Sequence, residues 1–130
     1  MIFVVDASVA VEYLLKTPLG VGVAAMLDSG TLVAPQLLDA EVLSALRRDV
    51  LAKRLALRRA EDAMSDLQAW GVIRLSHQDL LRVAWSFRHN TTIYDGLYLA
   101  AGRILGAPVV TADGPLARSE PSGVTIHNIR

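Results

Sequence analysis

Asp95 and Asp113 bracket the stretch TIYDGLYLAAGRILGAPVVTAD (residues 92–113), one carboxylate at the start of a helical pattern and the other just past the strand that follows it. Two more acids stand out. Asp6 directly follows the apolar run Ile2-Phe3-Val4-Val5, and on a helical wheel Glu41 falls inside the apolar arc of Leu37, Leu38, Val42 and Ala45. A carboxylate on an apolar face calls for a charge, a metal or a wet cleft beside it. Each acid also has an ordinary structural explanation. Thr92 and Asp95 fit a capping box, Asp113-Gly114-Pro115 fits a turn, and Glu41 fits either a shallow boundary position or an ion pair with a nearby arginine. Chemistry follows only if the acids converge.

The elements that would carry them can be read from periodicity. Leu97, Ala100, Ala101, Ile104 and Leu105 give one helical stripe, Gly106 suits the left-handed C-terminal position, and Pro108 to Thr111 reads as a buried parallel strand. Residues 2–5 form a first strand, residues 7–15 and a stretch from Pro18 to about Leu27 form helices, and residues 31–34 form a second strand ended by Pro35. A long helix is predicted over 36–55. A further amphipathic helix holds Leu57, Ala60, Met64 and Leu67 and stops at Gly71. Residues 72–75 read as a third strand, Ser76-His77-Gln78-Asp79 as a capping box opening a helix, and residues 124–126 as a last edge strand. Strands alternating with helices predict one α/β domain over residues 1–130, a three-layer sandwich with a central, mostly parallel sheet of four or five strands and helices on both faces. In such a sheet the cleft lies beyond the carboxyl ends of the strands. Asp6 and Asp113 follow strands at that edge, and Glu41 and Asp95 come early in helices that begin there. Four carboxylates at one rim repel one another unless divalent cations hold them, and oxygen-only donors favour Mg²⁺ or Mn²⁺ over zinc.

Composition narrows the function classes. The chain has 130 residues, 52% hydrophobic and 20% charged, with a formal net charge of zero, so no global field draws it to a polyanion. There is no cysteine, which excludes thiol catalysis and Cys-built zinc sites and fits a cytoplasmic location. The apolar N-terminus is interrupted by Asp6 and Glu12, lacks a basic leader and ends near Leu15, short of the roughly 20 residues of a membrane span. His77, His89 and His127 have no metal-ligand spacing and are read as structural, Trp70 and Trp85 as core or dimer surface, and Asp39 as solvated. The tract Arg47, Arg48, Lys53, Arg54, Arg58 and Arg59 is either a solvated face or a local edge for phosphate or a partner, with Arg47, Arg48 and Arg54 the candidates for such contacts.

Asp6-Ala7-Ser8, Pro35 followed by Glu41-Val42, Tyr94-Asp95-Gly96-Leu97-Tyr98-Leu99-Ala100 and Thr111-Ala112-Asp113, in this order and over essentially the whole chain, resemble the motifs of PIN-domain nucleases, and specifically the small VapC-type ribonuclease toxins. The resemblance implies a Mg²⁺- or Mn²⁺-dependent endoribonuclease of a type II toxin–antitoxin module. It implies a homodimer, an RNA substrate, a cognate antitoxin whose tail covers the acidic cleft, and in-line cleavage leaving a 5′-phosphate and a 3′-hydroxyl. Carried onto this sequence, Asp6, Glu41, Asp95 and Asp113 are the catalytic and metal-binding acids, Asp6 and Asp95 foremost, with Ser8 and Thr111 as accessory polar groups. Two positions depart from the pattern: Ser44 stands where Asn is common and Gly96 where Ala is common. Two other classes compete. A phosphoacceptor receiver would want paired acids near the first strand and a late lysine, whereas the lysines here are Lys16 and Lys53. A catalytically silent PIN-like protein-binding module would keep the same acids for folding or docking.

Overall fold

In the computed structural model, which describes residues 1–119, 121 and 123–130, five short strands form one sheet: β1 (Ile2–Val5), β2 (Thr31–Pro35), β3 (Ile73–Leu75), β4 (Val109–Thr111) and β5 (Ile126–Asn128), in the order β3-β2-β1-β4-β5. Every pairing is parallel, as the continuous apolar runs of the central strands require. Val4, Val5, Val109 and Val110 are wholly buried at the centre. From β1 the chain steps outward through β2 to β3, then returns to place β4 on the other side of β1. The order reverses between β1 and β4, which is where an open parallel sheet leaves a crevice at its carboxyl edge.

Helices α1 (Ala7–Leu15), α2 (Pro18–Asp28), α3 (Leu37–Leu51), α4 (Leu57–Ala69), α5 (Leu81–Ser86), α6 (Ile93–Leu105) and α7 (Gly114–Ala117) connect the strands. Leu38, Val42 and Leu46 of α3 and Ala60, Ala63 and Leu67 of α4 face the core. From Gly96 to Gly102 every residue of α6 is buried, so this helix runs through the protein rather than along it. Gly106 ends α6 at φ 61°, the left-handed position expected of it. Among the described residues no single helix is long and apolar enough to cross a membrane.

Three local readings change. The helix predicted over 36–55 ends at Leu51, because Lys53 turns left-handed at φ 59° and Asp49 holds the Arg54 side chain and backbone across the bend. Ser76 makes no side-chain cap; His77–Leu80 is a 3-10 turn, and the α-helix begins only at Leu81. The last strand lies at Ile126–Asn128 rather than 124–126, its register set by pairing of Val109 with Ile126.

Candidate active site

The sheet supplies one half of an acidic rim. Because Val4 pairs with Val109 and Val5 with Val110, Asp6 and Thr111 leave the sheet side by side. Asp6 is only 5% exposed, and its Oδ2 accepts hydrogen bonds from the Ser8 hydroxyl at 2.6 Å and the Thr111 hydroxyl at 2.9 Å. Those hydroxyls are themselves acceptors: Ala112 N–H donates to Ser8 Oγ at 2.9 Å and Asp113 N–H to Thr111 Oγ1 at 2.9 Å. The result is a closed circuit in which the peptide leading to Asp113 fixes the orientation of Asp6. From the other side Arg130 Nε donates to the Ala112 carbonyl at 2.8 Å, with its Nη2 3.5 Å from Glu12. Asp113 caps α7, its Oδ2 accepting from Leu116 N–H at 3.2 Å, so the turn explanation of this residue holds and accounts for one of its oxygens.

The helices supply the other half. Thr92 caps α6 by accepting from Asp95 N–H at 3.2 Å, yet the reciprocal half of the capping box is not made: among the described residues the Asp95 carboxylate accepts no hydrogen bond. Capping therefore does not explain this acid. Glu41 sits half-buried one turn into α3, and its Oε1 accepts a hydrogen bond from the Tyr98 hydroxyl at 2.7 Å. The start of α3 is itself pinned, because Leu37 N–H donates to His77 Nε2 at 2.8 Å. That assigns His77 as a neutral imidazole protonated on Nδ1, a structural role as read from the sequence.

The acids sense one another. Burial raises the Asp6 carboxyl above the ordinary range, the Ser8 and Thr111 hydroxyls pull it back, and the Asp113 charge raises it again. Asp95 is pushed up to about 6, first by burial and then by the charges of Asp6, Asp113 and Glu41. Glu41 is raised by burial and by Asp6, against the lowering effect of the Tyr98 bond. The fold thus brings all four predicted carboxylates to one mouth, and among the described residues none of them forms an ion pair with Lys, Arg or His. Oxygen donors with excess negative charge suit a hard divalent cation. Among the described residues, though, no group of three or more such side chains is arranged to hold an ion by itself. The donor set fits a cation that keeps much of its water, as Mg²⁺ does when held by one or two carboxylates and the phosphates of a substrate.

Elsewhere the basic tract is partly paired. Arg54 pairs with Asp49 at 2.9 Å, Arg48 lies 3.8 Å from the same Asp49 carboxylate, Arg58 pairs with Asp62, and Arg59 donates to the Leu15 carbonyl, while among the described residues the exposed Arg47 and Lys53 pair with no acid. Asp39 is not simply solvated: Arg74 binds it at 2.9 Å while also donating to the carbonyls of Leu67, Trp70 and Val72. At Gly96 a Cβ would stand 3.0 Å from the Ala84 carbonyl oxygen, so the glycine departure lets α5 lie close against α6. Sequence reasoning missed Tyr98 and Arg130 as neighbours of the rim. Tyr98 carried a signal, a tyrosine three residues beyond Asp95 on a helix too apolar to leave its hydroxyl in water, whereas Arg130 carried none.

Residues 3–119 match the PIN domain family model, and the chain belongs to the PIN-domain family. Within it the chain is of the VapC type. It is 35% identical to Ribonuclease VapC12 of Mycobacterium tuberculosis over 116 residues, covering 89% of this chain and 90% of that one. It is 39% identical to Ribonuclease VapC1 of the same organism over 120 residues, covering 88% and 87%. The fold is similar to that of VapBC2 from Rickettsia felis, solved bound to a DNA fragment from its promoter (TM-score 0.69, 12% identity, 98% of each chain). It is also similar to PAE2754 from Pyrobaculum aerophilum (TM-score 0.63, 22% identity, 97% of this chain and 92% of that one).

Proposed function

We propose that this protein is a metal-dependent endoribonuclease, the toxin of a type II toxin–antitoxin pair, acting in the cytoplasm and using Asp6, Asp95, Glu41 and Asp113 to hold Mg²⁺ or Mn²⁺ against the RNA backbone. The observation that carries this reading is the rim itself: among the described residues no Lys, Arg or His pairs with its four carboxylates, the Asp95 carboxylate accepts no hydrogen bond, and the charges of Asp6, Asp113 and Glu41 add to burial in pushing Asp95 up to about 6. A fold tolerates such repulsion where a bound cation removes it. The names of the relatives as ribonucleases, and of the structural neighbour as a VapBC assembly, support the RNA substrate and the antitoxin partner.

When bound, Mg²⁺ or Mn²⁺ would supply Lewis acidity at the scissile phosphate and lower the pKa of an attacking water. The chain's own residues do the rest. Ser8 and Thr111 donate to Asp6 Oδ2, so that Oδ1 is the oxygen offered to the cation. Asp113 keeps Oδ1 free of its helix cap, and Asp95 keeps both oxygens. Among the described residues Arg47 forms no ion pair with an acid and is exposed on α3, so it contacts RNA or a partner ahead of Arg48 and Arg54, which share Asp49. Homodimerisation is supported by an exposed apolar patch of Leu81, Trp85 and Ile93, in which Trp85 is 59% exposed.

The experiment is cleavage of a mixed RNA pool by the purified, antitoxin-free protein in Mg²⁺ or Mn²⁺ against EDTA, with Asp95→Asn alongside. Metal-dependent cleavage lost in the variant supports the nuclease. A folded protein inert in either metal returns the account to the silent binding module.

A further inference from the structure

Glu41 differs from the other three rim acids in its reach. Asp6 and Asp113 are short side chains, the first held by the Ser8 and Thr111 hydroxyls and the second by the Leu116 N–H of α7, and Asp95 is one carbon from the α6 backbone. Glu41 has three rotatable bonds between the α3 backbone and its carboxylate, and without a tether it would sample many rotamers at a cost in any geometry that needs one of them. Its one hydrogen-bond partner among the described residues is the Tyr98 hydroxyl, 2.7 Å from Oε1.

Tyr98 is built to be a rigid tether. Its residue is 0% exposed, and its ring is packed into the core within the fully buried stretch of α6. A buried hydroxyl left without a partner costs about 1–3 kcal/mol, so donor and acceptor hold each other. Tyr98 lies three residues beyond Asp95 and is therefore its neighbour on the helix surface. One helix thus carries one rim carboxylate and fixes the direction of another that arrives on α3, 57 positions away in sequence.

We propose that Tyr98 is a positioning residue of the active site. Its hydroxyl occupies Oε1 of Glu41 and so presents Oε2 to the cleft, setting the distance between the Glu41 and Asp95 carboxylates that share the cation. The inference rests on the reading of the rim as a divalent-cation nuclease site, and it concerns a residue that does not itself touch metal or RNA.

The test compares wild type, Tyr98→Phe, Glu41→Gln and the double variant, reading Mn²⁺ affinity by calorimetry, kcat and KM for RNA cleavage, and the melting temperature. Loss of an outer partner of a metal ligand typically costs 10–100-fold in metal affinity or activity. Tyr98→Phe is therefore expected to weaken Mn²⁺ binding and lower kcat by about 10–100-fold, to leave KM for RNA within about twofold, and to change neither further in the Glu41→Gln background. Unchanged Mn²⁺ affinity and kcat in Tyr98→Phe would overturn the inference, as would an equal loss in both backgrounds, which is what a merely structural tyrosine gives. Should Tyr98→Phe fail to fold, Glu41→Asp serves instead. Its shorter side chain cannot reach both hydroxyl and cleft, and Mn²⁺ affinity equal to wild type would contradict the tether. Wild-type protein that neither binds Mn²⁺ nor cleaves RNA would remove the nuclease reading and the inference with it. Failure of the variants alone removes only the inference.

Discussion

The two halves of the acidic rim are built differently. On the sheet side Asp6, Ser8, Thr111, Ala112 and Asp113 are knitted by short hydrogen bonds that alternate between hydroxyls, a carboxylate and backbone amides. On the helix side Glu41 has one bond and Asp95 has none among the described residues. The sheet half is pre-organised by the β1–β4 register, and the charge of Asp6 is stabilised by its hydroxyl donors. The helix half has fewer donors for its charge among the described residues. The difference suggests a division of work: a fixed edge that defines where a cation sits, and a responsive edge whose repulsion is relieved when one arrives.

The largest expected effect falls on activity. Asp6→Asn and Asp95→Asn should each lower metal-dependent RNA cleavage by more than about a hundredfold, beyond the range seen for partners that merely orient a ligand. Near-wild-type rates in either would break the assignment of that half. Stability should then separate the halves. Thr111→Val removes a donor from the buried Asp6 carboxylate and leaves Asp113 N–H without its acceptor, so it should destabilise the protein by about 1–3 kcal/mol in denaturant unfolding. Asp95→Asn should raise the melting temperature of the metal-free protein, because it deletes a charge repelled by Asp6, Asp113 and Glu41.

The pH dependence sharpens the same contrast. The Asp95 carboxyl titrates near 6 in the folded protein against an ordinary value of 3.8, so the unfolded chain gives up this proton more easily. The corresponding stability is fully present below about pH 4 and is lost as pH rises through about 6. Metal-free protein should therefore melt higher at pH 5 than at pH 7.5, and added Mg²⁺ should shrink that gap. A flat profile, or one rising with pH and abolished by Asp95→Asn, would reverse the electrostatic argument. The smallest effect lies outside the rim: Gly106→Ala forces a side chain into the left-handed position at φ 61° and should cost about 1 kcal/mol without altering metal affinity.

Much of this arrangement was legible because it is local or periodic. The runs at residues 2–5 and 109–111, the stripe of α6 and the glycine at its end each announce themselves within a few residues, and parallel topology then forces Asp6 and Asp113 to one edge. What stayed hidden depends on partners far away in sequence. The Thr92-to-Asp95 pattern looks like a complete capping box, and only the packed structure shows that its return bond is missing. Ser76 looked like a cap too, yet the N–H satisfied there is Leu37's, 40 positions from its acceptor His77. Asp39 reads as solvated on its own wheel because nothing local predicts Arg74 reaching it from β3. The bonds from Tyr98 to Glu41 and from Arg130 to Ala112 belong to the same class.

The most direct measurement is calorimetric titration of metal-free wild type and Asp95→Asn with Mn²⁺ at pH 7.5. A divalent-cation site gives a saturable binding isotherm in the wild type, and binding weakened beyond detection or by at least about a hundredfold in the variant. Equal affinities in the two proteins, or no binding in either while both remain folded, would contradict the claim that this rim of carboxylates is a divalent-cation site.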